Sequence, residues 1–358
     1  MKMTAKRGGV VLLLALLVAP AGVARAQAEP EAKKQKEIGR WYPKVEAGLN
    51  LSQSSYSDNW AGGDLSSFIW TAILNASAEN RLSPRLDWSN TLKLSYGQTH
   101  QQEETDDGKR EWRRPDKSTD LIDLESILRF TLGGFIDPYV SARFESQFQD
   151  ASDPFGRTLA LNPLRLEESV GLSRKFLDEE DRDLLIRVGF SLRETSRLLY
   201  REPVAPDMVP DPLSESTRRE STLDGGLKWV TDYKSNILSG RVSWTSKLTF
   251  FQPLFYSAGD RFDELTAAEL EGLDVSPDVK DFTTTIDVDW ENILTTQITK
   301  LLSVNLYLRW VYDKYDNSVP PVLDDAGGLS NPVDVSTAIR KKGQFKQTLA
   351  IGITYRFL

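Results

Sequence analysis

Apolar and polar residues alternate with a period of two along most of this chain, which predicts strands with one apolar and one polar face. The last fifteen residues show it clearly. Phe345, Leu349, Ile351, Ile353, Tyr355 and Phe357 fall on one side, and Lys346, Thr348, Gly352, Thr354 and Arg356 on the other. Elsewhere, Phe68, Trp70, Ala72, Leu74 and Ala76 oppose Ser67, Thr71, Asn75 and Ser77. Leu184, Ile186, Val188, Phe190 and Leu192 oppose Arg187, Ser191 and Arg193, and Leu238, Val242, Trp244, Leu248 and Phe250 oppose Ser239, Arg241, Ser243, Thr245, Lys247 and Thr249. The pattern predicts strands at 45–57, 65–79, 86–98, 119–132, 138–149, 165–177, 183–195, 220–231, 236–250, 281–292, 300–312 and 344–358.

The links alternate too. Short ones at 80–85, 133–137, 178–182, 232–235 and 293–299 interleave with longer polar ones at 99–118, 150–164, 196–219, 251–280 and 313–343, while 58–64 is short on the long-loop rim. Short turns on one rim and long loops on the other are the plan of an outer-membrane barrel. The expected fold is therefore all-β: a single antiparallel transmembrane β-barrel of about twelve strands, with short periplasmic turns and long extracellular loops. A soluble sandwich or closed barrel would have to pack large Trp, Phe and Leu side chains from most strands into one interior. A sheet of this size more naturally turns them toward lipid.

Composition agrees once the alternation is taken into account. A mean hydropathy of −0.39 resembles that of a soluble protein, but half of every transmembrane strand is polar. Aromatics make up 10%, nine Trp among them. Trp70, Trp88, Trp229, Trp244, Trp290 and Trp310 lie on apolar faces, several near strand ends, where interfacial girdles belong. The net charge of −8 argues against nucleic acid as a partner. Residues 1–26 read as a cleaved export signal: Lys2, Lys6 and Arg7, then an apolar run from Val10 to Val18, then Ala24-Arg25-Ala26. Residues 27–40 form a flexible polar leader, 41–358 the barrel, and the expected location is the bacterial outer membrane. No later stretch reaches 18 apolar residues, and the chain has no Cys, hence no disulfide framework or thiolate metal site.

Four segments resemble an uncharacterised family of exported bacterial proteins, domain of unknown function 3078. They are 50–63, with an N-W-A-x-G core at Asn59, Trp60, Ala61 and Gly63; 88–97, followed by Asp116-Lys117 and Leu121-x-Asp123-Leu124; 286–291; and 351–357. The resemblance implies an envelope barrel and brings no activity with it. One departure is that Leu358 follows Phe357, whereas such barrels usually finish on the aromatic.

Candidate chemistry lies in the lumen and on the rims. Asn59, Trp60, Gly62 and Gly63 could form a gating cap, although Asn and Gly at these spacings are turn chemistry first. Asp287, Asp289 and Glu291 alternate on one strand and could bind a hard cation or line a cation path; the plainer reading pairs them with inward bases such as Arg187, Arg193, Arg241, Lys247 and Arg309. The two signs interleave along the inward faces, which predicts a narrow or plugged lumen rather than a diffusion pore. His100 is the single histidine; a rim hydrolase would pair it with Ser95 or Ser118, but no flanking motif supports this and a solvated loop histidine is the plainer reading. Arg110, Arg113 and Arg114 could meet lipopolysaccharide phosphates.

The expected function is a narrow or gated channel or transport protein of unknown substrate. A structural or surface-interaction barrel with a closed lumen is the alternative, and a membrane-embedded lipid hydrolase the third. No cofactor is expected. The expected partners are outer-membrane lipid, lipopolysaccharide and the outer-membrane assembly machinery.

Overall fold

The computed structural model describes residues 36–55, 65–105, 109–153, 156–179, 181–200, 217–272, 278–323, 328–340 and 342–357. The export signal and the Asn59–Gly63 element lie outside them. Twelve long strands form the wall: β1 Trp41–Ser54, β2 Ser67–Ser83, β3 Leu86–Glu104, β4 Asp116–Phe130, β5 Asp137–Ser146 and β6 Leu164–Asp178. The second half contributes β7 Arg182–Tyr200, β8 Thr217–Ile237, β9 Val242–Tyr256, β10 Asp287–Gln297, β11 Leu302–Tyr312 and β12 Gln344–Arg356. Each pairs antiparallel with the next, and β12 pairs back onto β1, from Glu46↔Arg356 to Leu51↔Ile351, closing the barrel.

The wall is turned inside out relative to a soluble protein. Leu349 and Ile351 on β12 are 65% and 59% exposed, and Val170, Leu172, Leu227 and Trp229 continue the outward apolar band. Water would make such a surface an aggregation site, whereas lipid makes it a belt. The inward rows are polar and largely screened, with Ser191 and Ser303 fully buried. Trp70, Trp290 and Trp310 stand near the outer ends of their strands, and Trp88 and Trp244 near the inner ends. Trp229 sits mid-strand on β8.

Two predicted hairpins are misplaced. The β8–β9 turn, expected at 232–235, lies at residues 238–241, where Leu238, Ser239 and Gly240 take φ of 51°, 57° and 80°. Asp232 is polar because it faces the lumen, where it accepts a hydrogen bond from Arg187, and the strand runs on past it. The link expected at 293–299 lies at 298–301, so Ile293 to Gln297 remain in β10. The start of that predicted strand, near 281, is a helical turn instead.

At the inner rim, the end of the predicted leader lies against β2: Ile38 bridges Arg81, and the Gly39 amide donates to the Arg81 carbonyl at 2.8 Å. At the outer rim, the β9–β10 and β11–β12 loops are folded rather than merely solvated. They carry α1 Ala267–Gly272, α2 Val279–Phe282, α3 Pro332–Ala338 and a 3-10 turn at Gly259–Glu264. Tyr256, Phe262, Val279, Tyr315, Val319 and Val335 pack into a hydrophobic core of their own. We call this unit the cap.

Candidate functional site: a salt-bridged lumen under a folded cap

The alternation that sends Leu and Val to lipid sends Arg, Lys, Asp and Glu into the bore, where each must find a partner. On the β4–β9 side the partners reach across strands. Arg187 on β7 is 4% exposed, donating to Glu125 on β4 at 2.9 Å and to Asp232 on β8 at 3.0 Å. Lys247 on β9 approaches the other Glu125 oxygen at 3.5 Å. Lys228 on β8 pairs with Glu167 on β6, and Arg143 on β5 grips Asp123 through two hydrogen bonds of 2.8 and 3.1 Å. Beneath Arg187 lies Tyr139, whose strand partner Gly171 faces Gly189. A side chain on either glycine would collide with the opposite backbone, so the wall itself is close-packed there.

The candidate acids of β10 are all partnered. Asp287 accepts from Arg193 at 3.0 Å, and Asp289 takes a two-pronged contact from Arg309 at 2.7 and 2.9 Å. Glu291 meets Lys93 on β3 at 3.9 Å. That last contact is informative about shape. Between β3 and β10 lie β11, β12, β1 and β2 in one direction and β4 to β9 in the other. Lys93 and Glu291 therefore form a bar across the bore at mid-height. One sector holds the network just described. The other presents short neutral groups, including Gly48, Asn50, Thr71, Thr348, Gly352 and Thr354, beside the longer Glu46, Tyr307, Arg309 and Lys346.

The cap closes over the mouth. Asp316, in the β11–β12 loop, meets Arg165 on β6, on the far side of the barrel, at 3.5 Å. Asn317 donates to Asp224 on β8 at 3.1 Å, and Arg261 reaches Glu220 at 3.5 Å. Burial alone would push the Asp316 carboxyl up, but Arg165, Arg340 and the Ser318 hydroxyl and amide outweigh it and hold it at about 2. A polar cavity of about 530 Å³ opens beside the Arg165–Asp316 contact, lined in part by Lys117, Asp150, Arg197 and Ser318.

The residues singled out from sequence sort accordingly. Arg187, Asp287, Asp289, Glu291 and Arg309 face the lumen and join the pairing. Arg241 does not: the shifted hairpin puts it in the inner-rim turn, exposed, so it is not a lumen residue. Asn59, Trp60, Gly62 and Gly63 lie outside the described residues. His100 stands in the outward row of β3 beside Phe68, ring centroids 6.4 Å apart, whereas Ser95 is in the inward row, so the two are not brought together. Arg113 pairs with Glu103 at 3.2 Å. The sequence reading missed the cap, whose apolar residues are too widely spaced to form a periodic run.

Closed strand pairing, outward apolar band and charged lumen together define an outer-membrane β-barrel. Residues 51–151 match the model of a family described as a protein of unknown function, DUF3078. No curated protein matches the sequence. Among solved structures, the chain is similar to the translocator domain of the autotransporter NalP from Neisseria meningitidis, with 8% identity, 88% of each chain covered and a TM-score of 0.35. It is also similar to the COG4313 outer membrane channel from Pseudomonas putida F1, with 9% identity, 92% of this chain and 99% of that one covered and a TM-score of 0.36. The NanC porin gives 11% identity, 87% and 98% coverage and a TM-score of 0.32.

Proposed function

We propose that this protein is a gated transport barrel of the outer membrane, closed in the state described, with the cap as its gate. The observation that carries the reading is how the cap is attached. Its apolar core lies within its two loops and the last residue of β9, while it meets the wall through polar contacts: Asp316 to Arg165 on the far side, and Asn317 to Asp224 and Arg261 to Glu220 on β8. A unit with its own core and a polar seam can move as a rigid body without unfolding. On this reading residues 1–26 direct export and are removed, and the barrel meets outer-membrane lipid, lipopolysaccharide and, during insertion, the assembly machinery.

The test is ionic conductance in planar bilayers, after heat-dependent gel mobility has confirmed a folded barrel. The native protein is expected to be closed most of the time. Arg165→Gln combined with Asp316→Asn should raise the open fraction and give discrete steps. A folded double variant that stays silent would discard the gate and favour a closed structural barrel whose loops do the work.

A further inference from the structure

Two guanidiniums at the mouth of the bore are held more loosely than their neighbours. Arg143, Arg187, Arg193 and Arg309 each grip a carboxylate, at 2.8, 2.9, 3.0 and 2.7 Å. Arg165 on β6 meets Glu145, Asp316 and Ser318 only at 3.5, 3.5 and 3.4 Å. Arg197 on β7 donates to the Ser152 hydroxyl at 3.0 Å, and its carboxylate neighbour, Asp150, stands 3.9 Å away. Hydrogen bonds weaken at such separations, and a guanidinium carries five N–H donors, so both forks keep donors to spare. Both line the polar cavity of about 530 Å³ beside the cap.

The other charges around that cavity are committed, with one exception. Lys117 donates to Gln147 at 2.8 Å and to Asp120 at 3.2 Å. Asp150 accepts from Asn162 at 2.7 Å and from the Ser152 amide at 3.0 Å. Asp316 accepts from Arg340 at 3.0 Å and from the Ser318 hydroxyl at 2.6 Å. The exception is Asp116, the first residue of β4, which is exposed and whose carboxylate makes no hydrogen bond or ion pair among the described residues. The floor beneath these groups is fixed. Asn162, 2% exposed, donates to the Leu198 carbonyl at 2.9 Å and accepts from the Leu198 amide at 2.7 Å, tying the β5–β6 connection to β7 beside Arg197. Spare polar groups on a floor held in this way are preorganised for a ligand. The volume is in the range that holds small molecules, and of the described residues around it only Ala151 and Pro163 are apolar, so the ligand is hydrophilic.

We infer that this cavity binds a small zwitterion such as a short peptide, with its carboxylate on the Arg165 and Arg197 guanidiniums and its ammonium group on Asp116. Guanidinium forks match the planar, two-pronged geometry of a carboxylate. Over the whole lining, the charges of Lys117, Arg165 and Arg197 cancel those of Asp116, Asp150 and Asp316. A lone anion therefore gains little from the overall field, whereas a solute with both charges meets a partner at each end. That this solute is the one the barrel carries rests on the gated-transport reading; the binding itself does not.

Equilibrium dialysis of the folded barrel in detergent micelles tests the site, with radiolabelled triglycine, N-acetyltriglycine and triglycinamide as probes. The first carries both charges, the second only the carboxylate and the third only the ammonium group. Triglycine is expected to bind about tenfold or more tighter than either of the others, as the loss of a charged partner implies. Asp116→Asn, at a carboxylate with no partner to lose, should bring triglycine to the level of N-acetyltriglycine and leave N-acetyltriglycine unchanged. Arg197→Gln should weaken both by about tenfold or more. Gel mobility checks that each variant is folded. No retention of triglycine at millimolar concentration overturns the site. Equal retention of N-acetyltriglycine, or indifference to Asp116→Asn, overturns the ammonium end, and equal retention of triglycinamide overturns the carboxylate end. Indifference to Arg197→Gln places binding outside the cavity and overturns the assignment. Conductance enters none of these readouts, so failure of the gate and failure of the site are told apart.

Discussion

The cap and the wall bury apolar side chains by opposite rules, although one chain builds both. In the cap, Tyr315 is 2% exposed, its ring meets Phe262 edge-on at 5.1 Å, and its hydroxyl donates to the Val319 carbonyl. In the wall, Leu349 is 65% exposed and relies on lipid. The cap carries its stability within itself, as a soluble domain does, while the wall draws it from strand pairing and from the membrane. This difference makes independent motion of the cap physically reasonable.

The sharpest way to break the comparison is to shorten one apolar side chain in each region. Tyr315→Ala leaves a cavity and an unsatisfied Val319 carbonyl, and large aromatic truncations of this kind cost about 3–5 kcal/mol. For so small a unit that should unfold the cap. Limited proteolysis should then cut the loops at 257–286 and 313–343 while the barrel keeps its heat-dependent gel mobility. Leu349→Ala removes similar chemistry from the belt, but lipid fills the space, and the expected cost is about 1 kcal/mol or less. If both substitutions protect or expose the loops equally, the cap is no separate unit.

A smaller effect should come from acid. Asp316 is held at about 2, below its ordinary 3.8, by Arg165, Arg340 and Ser318 against its burial. For a carboxylate depressed on folding, the stabilisation is present above the ordinary value and lost as pH falls through the folded one. The shift corresponds to roughly 2 kcal/mol. The cap should therefore stay shut at pH 5 and loosen between about pH 4 and 2. Burial pushes Asp313, which shares Arg340, upward, so its earlier protonation leaves Arg340 freer to hold Asp316. Proteolysis of the loops across this range, with Asp316→Asn as the pH-insensitive control, would show it.

The same contrast explains how much the sequence disclosed. A wall built on a period of two announces itself, and all twelve strands are where alternation puts them to within a few residues, apart from the two slipped hairpins. Those slipped because inward polar residues mimic turn residues: Asp232 and Lys234 read as a loop until Arg187 is seen across the gap. The lumen acids were visible as a face, and Arg193 and Arg309 stood among the bases expected to pair with them; Lys93 did not, since barrel closure alone brings it to Glu291. The cap was invisible for the converse reason: Tyr256, Val279, Tyr315 and Val335 share a core through chain topology and not through spacing.

The Lys93–Glu291 bar should give the smallest change in stability and an informative one in function. Both side chains are partly solvated, at 43% and 25% exposure, and their separation of 3.9 Å is at the outer limit of an ion pair. Such pairs contribute about 0–1 kcal/mol. Removing both, with Lys93→Ala and Glu291→Ala together, leaves the net charge unchanged and opens the chord between the two sectors. In a background where Arg165→Gln and Asp316→Asn have released the cap, single-channel conductance should rise while the unfolding temperature barely moves. If conductance is unchanged, ions already pass on the side between β11 and β2. That result would move the path to that side of the bore and leave the charged sector as scaffold.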